Sequence, residues 1–142
     1  MTAILVVDIL AVLITGLVGL RFGRDRRGEG LGIVRGLKGA GLIPLGLQAG
    51  VLLLFGAGEM LSGDLSGAGH LIPLATTLLL ASLAWVRPVE GGIALLVVGA
   101  AGTQEYRGGA ASLIMVDPQL VSGCLFLVAG ALGWKAAAPP AD

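Results

Sequence analysis

Gly39-Ala-Gly-Leu-Ile-Pro-Leu-Gly-Leu-Gln-Ala-Gly-Val-Leu-Leu-Leu-Phe-Gly-Ala-Gly58 carries no charge and one amide, Gln48. A stretch of that length and composition matches the ~20 apolar residues an α-helix needs to cross a ~30 Å hydrocarbon core. Four further stretches share the character: Thr2 to Phe22, interrupted by Asp8 and with Arg21 at its end; His70 to Val86; Pro88 to Tyr106; and Pro118 to Trp134. Backbone polar groups cannot go unpaired in lipid, so each stretch reads as a helix.

The rest of the 142-residue chain agrees. Apolar residues make up 56% of it and charged residues 13%, with a mean hydropathy of +0.95. A soluble domain carries about 25% charged residues, so this chain lacks the charge to coat a water-soluble globule. A disordered chain would need low hydrophobicity and high net charge. The expected class is therefore an all-α, polytopic transmembrane bundle of five spans, at about 2–22, 39–58, 70–86, 88–106 and 118–134. They form a single domain, 1–135, with a disordered tail at 136–142. The first stretch has no basic residue before it and no Ala-x-Ala site after it, so it reads as a retained helix and not as a cleaved signal.

Basic residues set the orientation. Arg21 at the end of the first span, and Arg24, Arg26, Arg27, Arg35 and Lys38 between the first and second spans, place that loop, 23–38, in the cytoplasm. Five crossings put Arg87 and Lys135 on the same side and Arg107 alone outside. Four crossings would exchange Arg107 and Lys135, so charge does not choose between them. Trp85 and Trp134 at the inner ends of their spans, and Tyr106 at an outer end, favour five, because Trp and Tyr collect at membrane interfaces. The N-terminus is then outside and the C-terminus inside a bacterial cytoplasmic membrane. Arg87-Pro88 reads as a tight inner turn. Asp117-Pro118 reads as a helix start, with Asp117 as cap, and 59–69 as a polar, flexible outer loop.

Candidate chemistry is sparse. Small residues four apart allow close helix approach, and Gly46/Gly50 and Ala129/Gly133 have that spacing. They read as packing within the bundle, or else as a subunit contact. Asp8 lies two turns into the first span. It serves either as an intramembrane proton- or cation-binding group or as an interfacial carboxylate that reaches water. Gln48 at mid-span needs a partner, and a backbone carbonyl or Thr76 or Thr77 is expected to supply it. His70 at the outer mouth of the third span is the one residue suited to axial ligation of a haem or pigment; a plain polar boundary is the simpler reading. Glu59, Asp64, Glu105 and Asp117 are expected as solvated outer charges. Arg24, Arg26, Arg27, Arg35 and Lys38 form a basic juxtamembrane run that attracts anionic lipid or an acidic subunit, or only enforces topology. One His and one Cys exclude a metal-ligand spacing. No Ser-His-Asp set and no mid-membrane carboxylate pair are present, so no enzyme activity and no cofactor are expected, a bound lipid or pigment aside. Net charge is zero, which gives no field to attract nucleic acid.

Three segments carry a resemblance: Phe55-Gly-Ala-Gly-Glu59; Leu83-Ala-Trp-Val-Arg-Pro-Val-Glu-Gly-Gly-Ile93; and Val121-Ser-Gly-Cys-Leu-Phe126. Across residues ~38–134 the chain resembles a family of small prokaryotic four-helix integral membrane proteins of unknown function, with an added N-terminal helix. The resemblance implies the four-helix topology, including a crossing by 88–106, and implies no activity. Together these features lead to an expected role as a non-catalytic accessory or structural subunit of a larger membrane complex, an energy-transducing one being among the options, contacting lipid and other subunits. A small permease or channel for an ion or apolar solute, using Asp8 and Gln48, is the alternative.

Overall fold

A computed structural model of the protein describes residues 29–106 and 109–137. Asp8, the first expected span, Arg24, Arg26, Arg27 and Arg107 lie outside the described residues. The described chain is helical throughout, with no strand among these residues. It comprises α1 (Glu29–Leu61), a 3-10 turn (Leu65–His70), α2 (Leu71–Val86), α3 (Pro88–Glu105), the short α4 (Ala110–Met115) and α5 (Asp117–Ala137). Three segments are long and apolar enough to cross a membrane: Gly32–Leu61, Leu65–Val86 and Ala110–Trp134. α3 has 18 residues, about 27 Å at 1.5 Å per residue.

Three boundaries differ from the sequence reading. Glu29, the first described residue, is already in α1, so Arg35 and Lys38 lie on a helix and not in a loop. Its 33 residues extend roughly 50 Å, well past one bilayer core. The helix persists through its charged turns because Ile33, Val34 and Leu37 pack on α5, in the cluster of Val121, Leu125 and Ala129. The expected loop at 59–69 is largely ordered: α1 runs on to Leu61, and Gly67 of the 3-10 turn is buried against α1. Ala136 and Ala137, expected in a disordered tail, are still helical. By contrast, α3 starts with Pro88 in its first turn and α5 starts at Asp117-Pro118. In both places proline gives up an N–H that a helix start leaves unpaired in any case.

The four long helices run antiparallel to their neighbours. Along α1 and α5 the pairs are Val34 with Gly133, Gly41 with Phe126 and Gln48 with Met115, so numbers rise on one helix as they fall on the other. Along α3 and α5, Val89 meets Gly130, Gly92 meets Gly123 and Gly99 meets Leu120. α5 is therefore sandwiched between α1 and α3. One apolar cluster joins Leu37 and Ala40 to Val121, Leu125 and Ala129. A second draws in all four long helices through Leu45, Ala84, Leu95 and Phe126. α2 is peripheral, with only Thr77 and Ala84 fully buried.

Glycine makes this packing possible. A Cβ on Gly92 would lie 2.9 Å from the Gly123 carbonyl, and one on Gly123 would lie 3.0 Å from the Gly92 carbonyl. Gly91 sits directly on the backbone of Ala84, which closes the α2–α3 hairpin. In lipid, helices gain little hydrophobic energy by pairing, and close van der Waals contact replaces it. The outer faces are apolar in turn: Leu47, Leu54, Ile72, Leu79 and Val97 are each more than 60% exposed. An apolar surface of that extent marks a membrane or protein contact.

Candidate functional site

The most unusual feature of the interior is polar. Gln48 on α1 is 2% exposed, and its Nε2 donates to the Met115 carbonyl at 3.3 Å. That carbonyl is available because the helix breaks there. The Gln119 N–H, which would reach Met115 in a continuous helix, donates to the Val116 carbonyl at 3.0 Å. Pro118 has no N–H to offer Ile114. The amide of Gln48 thus takes over a helix bond at the α4–α5 junction. Its Oε1 is buried and has no hydrogen-bond partner among the described residues, and the same holds for the Ser122 hydroxyl on α5.

The backbone-carbonyl partner foreseen for Gln48 comes from Met115. The threonine alternatives are occupied within α2, since Thr76 donates to Ile72 O at 3.0 Å and Thr77 to Pro73 O at 2.8 Å. Asp117 departs from its expected solvated position: it is 8% exposed, beside the helix break. Gln119 and Ser112 are equally enclosed. The sequence reading missed Ser112, Gln119 and Ser122. Their only signal was position, two to five residues either side of an Asp-Pro pair.

The two ends of the bundle differ in charge. One end holds Arg35, Lys38, Trp85, Arg87 and Trp134, with Glu90 as the exception. Lys38 Nζ donates to the Trp85 carbonyl at 2.8 Å and lies 5.7 Å from the centroid of its ring. Lysine thereby caps the end of α2, where the helix dipole favours a cation. The opposite end holds Glu59, Asp64, His70, Glu105 and Tyr106. There His70 Nε2 lies 3.4 Å from Glu59 Oε2, and its ring is 6.3 Å from that of Phe55. His70 is thus engaged by a carboxylate at the surface, both side chains being about one-third exposed. No group of three His, Cys, Asp or Glu fit to hold a metal occurs among the described residues. Asp64 Oδ1 accepts the Ser66 N–H at 2.9 Å, which caps the 3-10 turn and holds its carboxyl below the usual range.

The small-residue pairs divide. Ala129 is fully buried in the α1–α5 cluster. A Cβ on Gly133 would lie 3.8 Å from Val34, an ordinary van der Waals contact. Gly46 and Gly50 face outward, and a Cβ on either would meet nothing within 4 Å among the described residues. They take no part in packing α1 to α2, α3, α4 or α5, because the packed face of α1 runs through Leu37, Gly41, Leu45, Gln48, Leu52 and Gly56 on the other side. Glycines that do pack closely include Gly41, Gly91, Gly92, Gly99, Gly123 and Gly130, with Gly56 and Gly67 against each other where α1 meets the 3-10 turn. Gly92/Gly99 and Gly123/Gly130 are seven apart, a two-turn repeat that a search for residues four apart passes over.

Comparison with protein-family models, curated proteins and solved structures finds no match to the chain.

Proposed function

We propose that this chain is a non-catalytic, multi-pass protein of a bacterial cytoplasmic membrane, acting as an accessory subunit of a larger membrane complex. The observation that carries the reading is the distribution of polarity. The outer faces of the long helices are apolar, while the α3–α5 interface is closed by glycine against backbone. Such a body offers surface to lipid and to other helices and little room inside for a polar substrate. Five spans complete it, with residues 2–22 crossing first and the Arg35–Lys38–Arg87 end facing the cytoplasm, in keeping with the positive-inside rule. The test is gentle detergent extraction of the tagged chain, followed by native mass measurement and identification of co-purifying proteins. A stable complex with defined partners supports the reading; a lone monomer overturns it.

One observation favours a second reading, a small permease. The carbonyl oxygen of Gln48 is buried, unpartnered among the described residues, and lies at a break in a candidate span. Broken helices at membrane depth mark solute sites in many transporters. Liposome flux of small ions that is lost in Gln48→Leu with the fold intact would support this reading; unchanged flux would count against it.

A further inference from the structure

The outward face of α1 has a pattern its packed face lacks. Gly39, Ile43, Gly46, Gly50, Leu53 and Ala57 follow one another at spacings of four, three, four, three and four residues. This is the 3.5-residue repeat of a helix that packs lengthwise against another helix. Ile43 and Leu53 are more than half exposed, and no described residue lies within 4 Å of where a Cβ on Gly39, Gly46 or Gly50 would be. A helix face in contact with lipid alone has no need of that register, and each glycine in it costs up to about 1 kcal/mol of helix propensity.

The chain itself supplies a match. Leu5, Ile9, Val12, Gly16, Gly19 and Gly23 follow the same spacings, four, three, four, three and four. Set antiparallel, the two series interdigitate. Val12 falls opposite Gly50, Leu5 opposite Ala57, and Gly19 opposite Ile43, so in these three pairs a large residue meets a small one, while Ile9 falls opposite Leu53. Gly16 falls opposite Gly46 at the closest approach. The connection can span the distance. Ten residues of α1 separate Glu29 from Gly39, about 15 Å of helix. A neighbouring helix axis lies 8–10 Å away, so residue 23 must reach roughly 18 Å to residue 29. Six residue steps extend to about 20 Å.

We infer that residues 5–23 dock antiparallel on the Gly39–Ala57 face of α1, within the same chain. The inference rests on the five-span reading and adds the position of the first span. The docked segment keeps Asp8 off the seam, since Asp8 lies between positions 5 and 9 of the series.

The test is disulfide cross-linking of the full-length protein in native membranes. Cys124, an exposed free cysteine, is first replaced by serine. Val12→Cys/Gly50→Cys and Ile9→Cys/Leu53→Cys are the two seam pairs, and either suffices if the other fails to accumulate. Val12→Cys/Leu79→Cys is the control, with Leu79 on the outer face of α2. The expected result is a disulfide within one chain for the seam pairs and none for the control. A disulfide needs Cα atoms within about 7 Å, so diffuse proximity in the bilayer does not satisfy it. Absence of cross-linking in both seam pairs overturns the inference. So does a cross-linked dimer from Gly50→Cys alone, which would assign the face to a second copy. Labelling of Thr2→Cys by an impermeant maleimide from outside reports the crossing separately. Labelling without a seam cross-link would discard the docking and keep the five-span topology.

Discussion

Gly92 of α3 and Gly123 of α5 lie with each carbonyl 2.9–3.0 Å from where the other's Cβ would be. This mutual approach holds the two helices at a separation that no larger residue permits, and it sets the first expectation. Gly92→Ala and Gly123→Ala should each destabilise the bundle by about 1–3 kcal/mol, the usual cost of overpacking. Gly58→Ala, at a position where a Cβ meets nothing within 4 Å among the described residues, should leave stability unchanged or raise it by up to about 1 kcal/mol through helix propensity. Thermal unfolding in detergent would compare the three. Equal losses at Gly58 and Gly92 would contradict the packing described.

Gln48 separates a structural amide from a functional one. Gln48→Leu loses one hydrogen bond, about 1 kcal/mol, and removes an unpartnered buried oxygen whose desolvation costs a similar amount. Its stability should therefore stay near that of the parent. Gln48→Ala opens a cavity and should cost about 2 kcal/mol or more. The ratio of folded to unfolded protein under denaturant would report both.

Lys38 ties α1 to the end of α2 by a hydrogen bond to the Trp85 carbonyl and by its place over the ring. Lys38→Met keeps the aliphatic stem and removes the charge. The loss should be modest, about 1 kcal/mol, since helix-end and cation–π contributions at partly exposed sites are each below that. Indole emission of a Trp134→Phe protein would follow Trp85 alone and should shift in the Lys38→Met variant.

Asp64 gives the 3-10 turn a pH dependence. Its folded pKa lies below the ordinary 3.8, chiefly through the Ser66 backbone N–H. A group with a lowered folded pKa binds fewer protons than the unfolded chain, so it stabilises the turn above pH ~4, and that contribution fades as pH falls through the folded value. Hydrogen exchange at the Ser66 amide should therefore accelerate, relative to the intrinsic rate, on acidification. In Asp64→Ala it should be fast at every pH. A Ser66 amide whose protection is unaffected by acid would remove the cap from the argument.

The helices were legible in the sequence because twenty-residue apolar runs and Arg-Pro and Asp-Pro junctions are local signals. Pro88 and Asp117 mark helix starts as expected. The helical state of 29–38 was not legible, because Arg35 and Lys38 suggest solvent while their helix is held by Val34 and Leu37 contacting residues more than eighty positions away. The packing glycines were equally hidden. Gly46 and Gly92 look alike in the sequence, and only the rotation of each helix decides which one meets a neighbour. The partner of Gln48 required knowing that Gln119 would turn its N–H to Val116 and leave the Met115 carbonyl available.

The central place of α5 bears on how the molecule is made. Synthesis delivers α1, α2 and α3 before α5, yet α5 supplies Phe126, Gly123 and Ala129, on which α1 and α3 close. Until α5 enters the bilayer, the two hairpins α1–α2 and α2–α3 have local partners, but Leu37, Ala40 and Gly92 have none of theirs. The last helix to leave the ribosome is thus the one that completes the core, and a nascent chain stopped short of Asp117 would present lipid and insertion machinery with two uncovered seams.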